Sequence, residues 1–100
     1  MTRGTTPTLT FSFGDDVDIS LIDYAEVTIR QKQKNKIIRK LSKDTENEEF
    51  SVFLSEKETL LLEAGTCQLQ VKIKLHDGGI VASSIETISV NDILNGGVML

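Results

Sequence analysis

One hundred residues are enough for one domain that buries its own core without metal or disulfide, and too few for two domains. The net charge of −4 gives no general attraction to nucleic acid or anionic membranes, and the single cysteine excludes an intrachain disulfide. Aromatic residues are few, four Phe and one Tyr with no Trp, so the core falls to Ile, Leu and Val.

Met1 to Pro7 is polar, and Gly4 and Pro7 oppose regular structure, which predicts an extended arm over 1–7. It lacks the apolar core of a signal peptide, pointing away from secretion by the usual route. Nor does any segment reach the roughly 18 apolar residues of a membrane span. Thr8 to Phe13 alternates, with Leu9, Phe11 and Phe13 on one face, and reads as an edge strand behind Pro7. Gly14 to Asp23 is an acidic connection with room for one helical turn.

Tyr24 to Gln31 is the second strand, with Ala25, Val27 and Ile29 opposing Glu26, Thr28 and Arg30. Lys32 to Lys36 reads as a polar turn and Ile37 to Leu41 as a third strand, whose adjacent Ile37 and Ile38 leave its facing open. A turn over 44–48 leads into a fourth strand, Glu49 to Leu54, with Phe53 on the face away from Phe50 and Val52. Ser55 and Glu58 have capping-box spacing, so 55–63 is expected to hold a short helix stopped near Gly65, its Leu60, Leu61 and Leu62 plugging one end of the fold.

From Thr66 to Val90 the chain reads as a long hairpin around HDGG, where Gly supplies positive φ and Asp bonds to its own backbone. Parity breaks near Ser83–Ile85, which predicts a bulge or a crossing between sheets. Residues 92–100 close the chain as a tail. Short strands with turn signals every 8–12 residues and one crossover helix predict an all-β, immunoglobulin-like sandwich of about seven strands over 8–91, with a small barrel as the rival.

Little in this pattern carries chemistry. His76 lies in the HDGG turn with no nucleophile placed to use it, Ser83 and Ser84 lack a nucleophile elbow, and Cys67 reads as a half-buried, inert thiol. One His and one Cys make no zinc set. Asp15, Asp16, Asp18 and Asp23 match no calcium loop and read as a solvated acidic segment. No catalytic residue, metal or cofactor is expected. The sharpest feature is charge segregation: seven of the eleven basic residues lie from Arg30 to Lys43, and four acids follow from Asp44 to Glu49. Solvated lysines protecting a sheet edge, a protein contact and a phosphate contact are the readings it allows.

The opening MTRGTTPTLTFSF, the LSEKETLLLEAG crossover, the DGGIVASS turn and strand, and the closing ISVNDILNGGV resemble small structural proteins of tailed phages and prophages of Gram-positive bacteria. The pattern, from Arg3 to Val98, is similar to the N-terminal domain of phage baseplate upper proteins. This resemblance implies a non-catalytic virion component of the tail or baseplate, assembled in the bacterial host cytoplasm through protein–protein contacts. Its implied partners are other virion proteins or further copies of the chain, with no membrane and no small-molecule substrate. Contacts are expected at Arg3 and Leu9 in the opening segment and at Arg30, Lys32, Lys34, Lys36, Arg39 and Lys40 in the basic hairpin. The alternative is a nucleic-acid accessory protein using residues 30–43.

Overall fold

The computed structural model describes residues 1–12, 18–83 and 85–92, and it is the all-β sandwich that the alternation predicts. Two antiparallel sheets enclose one core. The smaller has the order β1-β5-β4, from β1 (Thr8–Ser12), β4 (Ser42–Asp44) and β5 (Glu49–Phe53). The larger runs β3-β2-β6-β7, from β2 (Ile22–Gln31), β3 (Lys34–Lys40), β6 (Gly65–Leu75) and β7 (Ile80–Ala82), with β8 (Glu86–Val90) also paired to β6. Phe50 and Val52 from the small sheet meet Val27, Ile29, Val71 and Ile73 from the large one in a single buried cluster.

Alternation places these residues. Ala25, Val27, Ile29 and Gln31 of β2 all turn inward, and Val27 and Ile29 stand opposite Val71 and Leu69 of β6. The ambiguity in β3 resolves with Ile37 buried and Ile38 exposed, because only one of two adjacent residues can face the core. The expected turn over 32–36 shrinks to Lys32 and Gln33, both at positive φ (52° and 63°), as a two-residue hairpin of primed type demands. β3 therefore starts at Lys34. β4 was not expected, since Ser-Lys-Asp has no strand pattern of its own and is held by pairing to β5.

The capping box forms: the Glu58 backbone N–H donates to Ser55 Oγ, and the Ser55 N–H donates to Glu58 Oε1, opening α1 (Glu56–Leu60). Of the three leucines expected to plug the fold, Leu62 is fully buried while Leu61 stays exposed. Gly65 does not stop the helix but opens β6 at φ 130°, a conformation that suits glycine. The acidic connection ends in a 3-10 turn, Ile19–Leu21, capped by Asp18. Phe13 to Val17, Ser84 and the tail over 93–100 lie outside the described residues, and with them the expected facing of Phe13 and the candidate Asp15 and Asp16.

The parity break at 83–85 is an irregularity within one sheet rather than a crossing between sheets. β7 pairs with Lys72–Lys74 and β8 with Gly65–Leu69, so both lie on the same side of β6. Ser83 spans the interval: its N–H donates to the Val71 carbonyl, and its hydroxyl accepts from the Val71 N–H.

Candidate functional site

The large sheet buries one face and leaves the other open. On the open face, cross-strand pairing sets side chains in rows: Asn35–Arg30–Gln68–Thr87, Ile38–Thr28–Gln70, Lys40–Glu26–Lys72–Ala82, and Tyr24–Lys74–Ile80. Four cations thus stand against the single carboxylate of Glu26, on a protein whose net charge is −4. Lys40 Nζ lies 4.7 Å from the Tyr24 ring centroid and Lys74 Nζ 5.8 Å, so the ring helps to hold two of the cations in place.

An open groove of about 300 Å³ runs over this face, lined by Glu26, Thr28, Arg30, Asn35, Gln68, Gln70 and Lys72, with Ala82 and Ile85 from the irregular segment. Gln70 Nε2 donates to the Ser83 carbonyl, which ties the floor of the groove to that irregularity. Exposed Ile38, Ile80 and Ile85 add apolar surface to the same region. The groove therefore offers cations, amides and aliphatic patches to a partner laid across the strands.

The residues expected to make contacts divide sharply. Arg30 and Lys40 belong to the open face. Arg39 is turned the other way, its guanidinium 2.5 Å from Glu58 Oε1. Lys32 pairs with Glu63 at the hairpin tip. Lys34 is exposed at the start of β3, and Lys36 falls at the register shift between the Ile29 and Arg30 pairings. Lys43 sits on the small sheet, donating to the Ile22 carbonyl. The basic run is thus not one continuous strip. Leu9 packs against the core, half-buried.

Arg3 is engaged within the chain. Its Nε donates to the Leu62 carbonyl at 2.5 Å, Nη2 reaches the Leu60 carbonyl at 3.3 Å, and Nη1 meets Asp92 at 3.1 Å. Thr2 forms a parallel bridge with Asn91. The opening segment is therefore a strap across the end of the sandwich.

A residue missed in the sequence completes this region. Gln31 is 4% exposed; its amide donates to the Glu63 and Thr66 carbonyls, and its carbonyl oxygen accepts from the Glu63 N–H. The signal was a polar residue on the inward parity of β2.

The remaining chemical candidates lie apart from the groove. His76 is exposed on its turn, with Nδ1 3.9 Å from Asp23. Cys67 is buried, and burial pushes its thiol up, away from the reactive thiolate. Asp18 is engaged by the Ser20 hydroxyl and N–H, which hold its carboxyl below the ordinary value. Among the described residues no group of three or more His, Cys, Asp or Glu is placed to hold a metal ion, and no helix is long and apolar enough to cross a membrane.

Comparison with solved structures finds CopC from Methylosinus trichosporium OB3b at a TM-score of 0.61 and 18% identity, over 94% of this chain and 85% of that one. The fold is CopC-like. No family model matches the chain, and no curated protein does. The expected kinship with phage baseplate upper proteins is corrected by this result, since the structural likeness is to CopC and no sequence match supports a phage origin. The tail or baseplate role and the virion location are withdrawn with it. At 18% identity the likeness to CopC establishes the fold alone.

Proposed function

We propose that this protein is a non-enzymatic binding module that holds an acidic, extended polypeptide across the open face of its large sheet. The observation carrying this reading is the row pattern of that face, where Arg30, Lys40, Lys72 and Lys74 surround a groove floored by amides and hydroxyls. Pleated strands hold these groups at fixed spacings, so a partner meets them without first ordering them. Exposed Ile38, Ile80 and Ile85 suit a partner with aliphatic side chains. Among the described residues the face has no bare aromatic platform for stacking bases or sugars, because Tyr24 lies between two lysines. A non-enzymatic role is supported by the separation of His76, Cys67 and Ser83, placed respectively on a turn, in the core and in the β6 ladder.

The test is titration of a synthetic peptide of alternating Glu and Leu into the wild type and into Arg30→Glu/Lys72→Glu. Salt-sensitive binding to the wild type is expected, weakened about tenfold or more in the variant, since like charges across an interface repel. Equal affinity for both proteins, or no binding at low ionic strength, refutes the reading.

A further inference from the structure

The small sheet presents the opposite surface. Its outward positions are Thr8, Thr10 and Ser12 on β1, Ser51 and exposed Phe53 on β5, and the β4–β5 turn beside them carries Asp44, Glu46, Glu48 and Glu49. No cation shares this face among the described residues; Lys43 has the other parity and is turned to the Ile22 carbonyl. The turn is also held by its own hydrogen bonds. Asp44 Oδ1 accepts from the N–H groups of Glu46 and Asn47, and Oδ2 accepts from the Asn47 amide.

Other carboxylates are engaged inside the chain: Glu58 by Arg39, Glu63 by Lys32 and Asp92 by Arg3. Among the described residues no hydrogen bond or ion pair reaches the side chains of exposed Glu46 and Glu48. The molecule is therefore two-sided, basic and isoleucine-bearing on the large sheet, acidic and phenylalanine-bearing on the small one.

We propose that the partner of the open face is a second copy of this chain, whose acidic β4–β5 turn and Phe53 dock onto the groove. This rests on the reading of that face as a surface for acidic polypeptide. Two different patches meet, so the contact is head to tail, and after each addition the open assembly still has one free face and one free turn. Association then continues into rings or chains rather than stopping at two.

Sedimentation equilibrium tests this with two variants, Arg30→Glu/Lys72→Glu on the face and Glu46→Lys/Glu48→Lys on the turn. At low ionic strength the wild-type mass is expected to rise with concentration from 11.1 kDa to at least double, and to fall back in high salt. Each variant alone is expected to remain a single chain. Mixed, they are expected to pair, because the intact turn of one fits the intact face of the other, and the reversed face and reversed turn are themselves opposite in charge. Formation of that pair also shows that both variants are folded. A wild type that stays at 11.1 kDa throughout, or a mixture that does not pair, overturns the proposal. If that monomer still binds the Glu-Leu peptide, self-association fails and the binding face stands; if it binds neither, both readings fail.

Discussion

Two regions of this molecule are rich in polar and charged side chains, and they use them in opposite ways. Around the crossover from α1 to β6, Arg3, Gln31, Lys32 and Arg39 each find partners inside the chain, on backbone carbonyls or on Glu58, Glu63 and Asp92. On the open face of the large sheet, Arg30, Lys72 and the amides of Gln68 and Gln70 stand along a groove. The difference teaches that charge density in the sequence does not locate a binding surface. Pleat and register do, by deciding which cations meet carboxylates of their own chain and which are left facing outward.

The largest effect is expected at Gln31. Gln31→Leu strips two carbonyls and one N–H of their partner in a buried place, and each such loss costs about 1–3 kcal/mol. A loss of about 3 kcal/mol overall is expected, seen as a fall of roughly 12–24 °C in Tm for a domain of this size. By contrast Arg30→Glu, on the exposed face, is expected to move stability by no more than about 0.5 kcal/mol. Similar losses for the two would remove the distinction between the regions.

Glu58 sharpens the comparison through pH. Burial alone would raise its carboxyl, but the Ser55 N–H and the Arg39 guanidinium outweigh burial and hold it below its ordinary 4.5. A depressed folded value means that the stabilisation is complete above the unfolded pKa and is lost as pH falls through the folded one. Glu58→Gln is expected to cost about 1–2 kcal/mol at pH 7, with the difference from wild type shrinking below pH 4 in urea titrations. A constant difference across that range would count against the pairing.

A change of the opposite sign is expected at the hairpin tip. Gln33 holds φ 63°, which strains a residue with a side chain, so Gln33→Gly is expected to raise stability by about 0.5–1 kcal/mol in thermal melts. Peptide binding should not change.

Much of the fold was legible because one face of each main strand is dry. Leu69, Val71 and Ile73 could be placed inward from alternation alone, and the capping box from Ser55 and Glu58. β4 was not legible, since Ser-Lys-Asp becomes a strand only beside β5. Of the candidate site, charge picks out Arg30 and Lys40 within the basic run, while Lys72 and Lys74 lie outside that run. Their importance depends on which strands flank β6, a long-range pairing with no local trace. The phage resemblance failed for a related reason: its motifs were a strand opening, a crossover and a hairpin turn, which any sandwich with these connections can share.

The central claim, that the open face of the large sheet is the binding surface, is tested most directly by amide chemical-shift mapping of isotope-labelled protein during titration with the Glu-Leu peptide. Shifts are expected to concentrate at Thr28, Arg30, Gln68, Gln70 and Lys72, with the crossover around Gln31 and Glu63 little changed. Shifts centred on the crossover or the opening strap, with the groove silent, would contradict it.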